Sequence, residues 1–101
     1  MKYIQINKNQ IPYAFELNLN NETYQFEVFY NTVGDFFTIN LFKNHLPLVH
    51  GDKVVYNVPL FEQFSYLGAP KVKILPFDTT KKNNRANYEN MGEDVFLYVL
   101  D

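Results

Sequence analysis

The chain has 101 residues, which is enough for one hydrophobic core and too few for two. It contains no cysteine and has a formal net charge of −2. These values exclude disulfide frameworks, thiolate metal sites and the strongly basic surfaces that bind duplex nucleic acid or anionic lipid. With 18% aromatic residues, we expect a single β domain over residues 1–101 with an aromatic core and with neither a nucleic-acid nor a membrane partner.

The first two predicted strands form a hairpin. Apolar residues occupy alternate positions over 13–19 and 24–30, as in strands with one buried face. Asn20-Asn21 lies between them and predicts a two-residue turn, because asparagine tolerates positive φ. In that register Phe15 pairs with Phe26, and the apolar residues of both strands share one face.

A third strand is predicted over residues 36–42, after a turn at residues 31–34. A four-residue loop there pairs Phe29 with Phe36 and places Phe29, Phe36 and Phe42 on the polar outer face. Large exposed aromatic side chains are typical of protein contacts, so these three are candidate interface residues. Alternatively, they are covered by another strand, by the N-terminal segment or by closure of a barrel.

Shorter elements are predicted in the rest of the chain. Strands are expected over residues 46–50, 53–57, 71–77 and 95–100, with a turn at Gly51-Asp52 between the first two. Residues 58–70 favour one or two helical turns, because apolar residues recur there at helical spacing. Strands at this spacing, with at most one short helical segment, predict an all-β fold: a small antiparallel barrel or sandwich built from a meander.

Residues 78–94 contain almost no apolar side chain and predict a long, exposed polar loop within the domain. Four of its residues are further candidates for a protein interface: Lys81, Lys82, Arg85 and Tyr88. In that interpretation the loop becomes ordered against its partner. The alternative is a solvated loop whose charges balance, because three acidic residues follow the basic ones.

No residue pattern typical of catalysis is present. The two histidines, His45 and His50, are five positions apart and share neither a helical nor a strand face. Ser65, the single serine, lies outside any nucleophile elbow, and the four glycines are scattered. We therefore predict that the protein is not an enzyme and has no catalytic residue, no cofactor and no metal site.

Five blocks of the sequence carry a family resemblance: QIPYAFELNLNNETYQFEVFYN, FFTINLF, NHLPLVHG, VPLFEQF and DVFLYVL. Together they resemble the small baseplate plug proteins of contractile-tailed bacteriophages, which have an I-P-hydrophobic opening, an x-P-L-V-x-G turn and a later P-L-hydrophobic segment. The resemblance implies a small β-barrel virion protein without enzymatic activity. It further implies a place in the tail baseplate against hub and tail-tube proteins, a homo-oligomer as one arrangement there, and the host cytoplasm as the location during assembly.

Two other functions stay open at this point. Small β domains often bind carbohydrates or other small ligands on aromatic side chains. A small phage-encoded inhibitor of a host protein would have a similar composition. The fold class by itself does not distinguish among these functions.

Overall fold

The computed structural model describes residues 2–70 and 72–100, apart from the side chains of residues 65–67. Lys71, expected at the start of a strand, and the side chain of Ser65 lie outside this described part. The strands are β1 Lys2–Ile4, β2 Tyr13–Leu19, β3 Glu22–Asn31, β4 Phe36–Lys43, β5 Leu46–Lys53, β6 Lys73–Phe77 and β7 Phe96–Leu100. The 3-10 helices are Lys8–Gln10 and Glu62–Leu67. Among the described residues, no helix has the length and apolar character needed to cross a membrane.

The strands form two antiparallel sheets that pack face to face. The four-stranded sheet has the order β2-β3-β4-β5, and the three-stranded sheet has the order β1-β7-β6. The all-β antiparallel prediction is confirmed, and the sheets form a sandwich without closing into a barrel. Helix Glu62–Leu67 lies where helical turns were expected, whereas the three-residue helix before β2 was not predicted.

The core lies between the two sheets. Inner-face residues of β3 and β4 pack against those of β6 and β7, and Phe61 joins them from the segment between β5 and β6. The largest fully buried side chains include Phe26, Phe37, Phe61, Ile39, Leu41, Ile74, Met91 and Leu97. Burying one such side chain contributes roughly 1.5–3 kcal/mol, so these aromatic and aliphatic side chains together account for much of the stability of the fold.

The predicted register of the first hairpin is confirmed. Phe15 pairs with Phe26, and Leu17 pairs with Tyr24. Asn20 and Asn21 have φ values of 54° and 66°, as a two-residue turn between twisted strands requires. Turn chemistry and apolar alternation therefore specify the same register.

The predicted register between β3 and β4 is wrong by two residues. Asn31 pairs with Phe36, and Phe29 pairs with Thr38 instead of Phe36. The loop starts one residue later than predicted, because Asn31 Oδ1 accepts the backbone N–H groups of Val33 and Gly34. Asp35 stays in the turn with φ 54°. A shift of two preserves the side-chain period, so the inner and outer faces are as predicted.

The predicted turn at Gly51-Asp52 is also wrong, since both residues lie within β5. The pairing of β5 with β4 shifts twice, between Ile39 and Leu41 and again before Phe42. Gly51 has φ 69°, a conformation typical of glycine at a bulge. Residues 54–57 form no strand in the described structure and lead across to the three-stranded sheet.

The N-terminal segment packs closely against the loop that precedes β7. Ile6 is buried, and its carbonyl oxygen faces Gly92. Gly92 has φ 81°, and a Cβ added there would lie 2.8 Å from Ile6 O. Both the conformation and the space around this position therefore require glycine.

Gly92→Ala is expected to destabilise the fold through its positive φ and through overlap of the new Cβ with Ile6 O. Gly51→Ala is the matched control, because Gly51 also has a positive φ but has open space around it. In thermal unfolding we expect Gly92→Ala to melt at least about 4 °C below Gly51→Ala. Equal melting temperatures would contradict close packing at Gly92.

Candidate protein interface

A groove of about 480 Å³ lies at the end of the sandwich where the start of β2, the end of β3 and the 78–94 loop meet. We call it the aromatic groove; its lining residues are Lys8, Asn9, Ile11, Pro12, Phe29, Tyr30, Thr32 and Tyr88. Two predicted interface residues, Phe29 and Tyr88, come together here and are 39% and 38% exposed. The groove thus presents two large, partly exposed aromatic side chains to solvent.

Tyr88 is held in place by three aromatic and charged neighbours. Its ring lies edge-on to Tyr30, with centroids 5.0 Å apart, and nearly parallel to Phe37 at 6.3 Å. The Lys8 ammonium lies 5.0 Å from the centre of the Tyr88 ring. Lys8 Nζ also donates to the backbone oxygens of Tyr88 and Glu89, at 2.8 and 3.1 Å. The exposed ring is therefore fixed before any partner binds.

Asp35 joins the β3–β4 turn to the 78–94 loop. Its Oδ1 accepts the Tyr30 hydroxyl at 2.6 Å and the Tyr88 backbone N–H at 3.0 Å. The Tyr30 hydrogen bond is the main cause that lowers the pKa of Asp35, and the Arg85 charge contributes. The same hydrogen bond, together with burial, raises the pKa of Tyr30 to about 12.

The first half of the 78–94 loop is organised by Asp78, whose side chain is fully buried. Asp78 Oδ1 accepts the backbone N–H and the hydroxyl of Thr80. Its Oδ2 accepts the backbone N–H groups of Lys82 and Asn83 and the Asn83 side-chain amide. The hydrogen bond from the Thr80 hydroxyl is the main cause that holds the pKa of Asp78 well below its usual range.

The second half of the loop is organised by Asn90, which is also buried. Asn87 and Asn90 exchange side-chain to backbone hydrogen bonds, both at 3.0 Å, and Asn90 Nδ2 donates to Arg85 O at 2.8 Å. Ala86 and Met91 are buried as well. The expectation that residues 78–94 are exposed throughout is therefore wrong at Asp78, Ala86, Asn90 and Met91, because the loop has its own hydrogen-bonded interior.

The other predicted interface residues lie apart from the aromatic groove. Phe36 is half-buried beneath the Lys53 ammonium, 4.4 Å from its ring centre, and a Cβ on Gly34 would overlap its ring. Phe36 and Arg85 line a second, smaller cavity of about 170 Å³.

Phe42 is half-buried near the other end of β4, roughly 20 Å along the strand from Phe36. It pairs with Gln25 on β3 and with Pro47 on β5. Lys81 and Lys82 are exposed on the first half of the loop. Of the predicted interface residues, Phe29 and Tyr88 therefore line the aromatic groove, and Phe36 and Arg85 line the smaller cavity. Phe42, Lys81 and Lys82 lie elsewhere on the surface.

Sequence reasoning missed Lys8, Ile11, Pro12 and Tyr30 as groove residues. The Ile-Pro pair belongs to the motif that carries the family resemblance, so it could have been identified as part of the site. Lys8 reaches the Tyr88 carbonyl from 80 positions away in the chain. No local pattern indicates such a contact.

The described residues of the site offer an aromatic contact surface. In the described part of the chain, no three side chains of the kind that bind metal ions are clustered. Every buried side-chain nitrogen or oxygen in that part has a hydrogen-bond partner. The geometry therefore supports recognition of another molecule through aromatic side chains on a rigid frame.

The comparison with protein families decides what kind of protein this is. The family model described as cyanophage baseplate Pam3 plug gp18 matches residues 1–101. The chain belongs to this baseplate plug family. A comparison with curated proteins gave no match. Membership supports a structural role in a phage baseplate, and no finding supports the carbohydrate-binding or inhibitor alternatives.

Acid is expected to destabilise the plug protein through Asp78. The pKa of Asp78 is lowered in the folded state, so its stabilising effect is present above the ordinary carboxyl pKa and is lost as the pH falls below it. We expect Asp78→Asn to lower the melting temperature at neutral pH by at least about 5 °C and to reduce the loss of stability between about pH 5 and pH 2.

Asp94→Asn is the matched control for Asp78→Asn. Asp94 is exposed and accepts a single side-chain hydrogen bond from Asn83, at 3.2 Å. Its replacement should change the melting temperature little. Equal effects of the two substitutions would show that Asp78 does not organise the loop.

A second prediction concerns alkaline pH. Because the pKa of Tyr30 is raised to about 12, the stabilisation from its hydrogen bond is present below the ordinary tyrosine pKa and is lost as the pH rises through the folded value. The ionisation of Tyr30 can be followed by ultraviolet absorbance as the difference between wild type and Tyr30→Phe. Asp35→Asn is expected to move this ionisation to lower pH, and an unchanged midpoint would show that Asp35 does not hold the phenol.

Proposed function

We propose that this protein is a non-enzymatic plug of a phage tail baseplate and that it docks on neighbouring baseplate proteins through the aromatic groove. The observation that supports this most directly is that Phe29 and Tyr88 line one groove and are both partly exposed, in a chain that matches a baseplate plug family over its whole length. Hub and tail-tube proteins are the partners that we infer.

The groove has the features of an efficient docking site. Residues that contribute most to binding are often aromatic side chains placed in pockets with polar rims. Here Lys8, Asn9 and Thr32 lie beside the aromatic rings. Because Lys8, Tyr30 and Asp35 already fix the Tyr88 segment, little conformational entropy is lost on binding.

Other surface residues are proposed as secondary contacts. Phe36 and Arg85 line the smaller cavity. Phe42, Lys81 and Lys82 lie outside both this cavity and the aromatic groove. A pre-ordered loop can contact a partner without the folding step that we expected from the sequence. We infer that the chain folds in the host cytoplasm and then joins the virion, as a single copy or as a homo-oligomer.

Phe29→Asp is expected to prevent incorporation into tails without unfolding the chain, because Phe29 is exposed and a buried carboxylate at the contact would be costly. Leu46→Asp is the matched control, since Leu46 is 66% exposed at the start of β5. The measurement is the amount of each variant in purified tail particles, by quantitative mass spectrometry. We expect at least about a tenfold loss for Phe29→Asp and wild-type occupancy for Leu46→Asp.

The same measurement can contradict the proposal in two ways. Absence of the wild-type chain from purified tails would show that the protein is not a baseplate component. Wild-type occupancy of a folded Phe29→Asp variant would leave the baseplate role intact and would show that the contact lies elsewhere. Circular dichroism and thermal unfolding establish that each variant is folded.

A further inference from the structure

The two sheets have four edges, and three of them are protected against pairing with another strand. β6 is covered by the segment that follows β5, where Asn57 N–H donates to Pro76 O at 2.7 Å and Leu60 N–H donates to Ile74 O at 2.8 Å. β5 contains Pro47 and two register shifts. β1 is three residues long. Short strands, proline, bulges and covering segments are the usual means by which proteins block sheet edges.

The fourth edge, β2, has none of these protections. Its seven residues pair with β3 in one uninterrupted register. Residues that flank a two-residue turn are joined by both backbone hydrogen bonds, and this arrangement then alternates along the strand. The backbone N–H and C=O groups of Ala14, Glu16 and Asn18 therefore point away from β3, and no described residue makes a backbone hydrogen bond to this edge.

The inner face of β2 is also incompletely covered. Tyr13, Phe15 and Leu17 point toward the core but are only half-buried. Their counterparts on β3 and β4, such as Phe26 and Ile39, are fully buried. The sheet to which β2 belongs has one strand more than the three-stranded sheet. The edge thus combines unpaired backbone groups with a row of partly exposed apolar side chains.

From these features we propose that β2 is a docking edge for an extended strand of a neighbouring baseplate protein, which adds to the four-stranded sheet by backbone pairing. The unpaired N–H and C=O groups require a strand as the occupant, since a helix has no free backbone groups along its length. Apolar and polar side chains alternate along the occupant. Every second side chain is apolar and covers Tyr13, Phe15 and Leu17.

The charge of the outer face specifies the occupant further. Glu16 lies at the centre of β2, is exposed, and makes no ion pair with any described residue. Glu27 lies diagonally across from it on β3, because Glu16 pairs with Gln25. Opposite charges across a strand pair stabilise it and like charges destabilise it. The incoming strand therefore carries lysine or arginine opposite Glu16.

The same charges argue against a second copy of this chain as the occupant. Antiparallel pairing of β2 with its own copy brings two Glu16 and two Glu27 side chains to one face, without a cation from either β2. The docking edge is also continuous with the proposed contact surface, because β2 begins immediately after Pro12, which lines the aromatic groove. A strand along β2 would place its end beside that groove. The inference therefore rests on the proposed baseplate function.

Hydrogen–deuterium exchange of the wild-type chain tests the inference, in purified protein and in purified baseplates that contain it. We expect the amides of Ala14, Glu16 and Asn18 to exchange quickly in the free chain and at least about 100-fold more slowly in the baseplate. Unchanged exchange in baseplates that contain the chain would overturn the docking edge and leave the baseplate function standing. Absence of the chain from baseplates would overturn both.

A substitution pair tests the backbone contribution directly. Ala14→Pro removes one outward donor without removing a hydrogen bond to β3, since proline is tolerated where the N–H faces away from the sheet. Ala14→Ser keeps that donor. With both variants folded by thermal unfolding, we expect Ala14→Pro to enter baseplates at least about tenfold less than Ala14→Ser. Equal incorporation would contradict strand pairing at β2.

Crosslinking identifies the occupant. The chain has no cysteine, so Asn18→Cys can carry a single photoreactive label and leaves Glu16 in place. Asn18 is an exposed residue of β2, and Leu46→Cys at the start of β5 is the matched control. In baseplates we expect a crosslink from position 18 to a segment of another protein that alternates apolar residues and carries a cation. A crosslink from position 18 to a second copy of this chain would overturn the proposed occupant, and a crosslink from position 46 to the same segment would contradict docking along β2.

Discussion

The carboxylate of Asp35 connects the parts of the molecule on which the contact surface depends. One of its oxygens accepts hydrogen bonds from the Tyr30 hydroxyl and from the Tyr88 backbone. Asp35 lies in the β3–β4 turn, directly before β4. With Asp35 in the turn, Phe29 pairs with Thr38. Because the same oxygen binds the Tyr88 segment, the 78–94 loop closes over this end of the core, and the aromatic groove forms between them.

The polar loop works as a rigid support for that groove. Polar residues in a long connection usually indicate solvation, yet here Asp78 and Asn90 are buried and bind the backbone of the loop from inside. These hydrogen bonds replace the apolar core that so polar a segment cannot form. A contact surface on such a frame would lose little conformational entropy on assembly.

The sandwich is asymmetric, with four strands facing three. A protein that acts alone would normally block a long sheet edge, because such an edge invites aggregation. In this chain a short length, proline, bulges or a covering segment protect β1, β5 and β6, whereas the described residues of β2 offer only the exposed charge of Glu16. The asymmetry supports the proposal that a neighbouring baseplate protein completes both the sheet and the covering of the core.

Much of the fold could be predicted from the sequence. Alternation of apolar residues predicted strands β2, β3 and β4, the hairpin register and the aromatic inner face, whereas β1 was not predicted. The two-residue period of a strand is a local property, so the faces are correct even though the register at β4 was wrong. The family motifs, which depend on the same strands and turns, indicated the baseplate plug family. The apolar and polar composition also distinguished core strands from the long loop.

Tertiary structure decided the remainder. Gly51 lies in a bulge and not in a turn, because β4 pairs with residues on both sides of it. Phe29 and Tyr88 share a groove, while Phe36 is covered by Lys53. The edge of β2 has no backbone hydrogen bond from another described segment, whereas the segment after β5 pairs with β6. Each outcome depends on hydrogen bonds or ring contacts that join residues far apart in the chain, and local residue patterns carry no information about those distances.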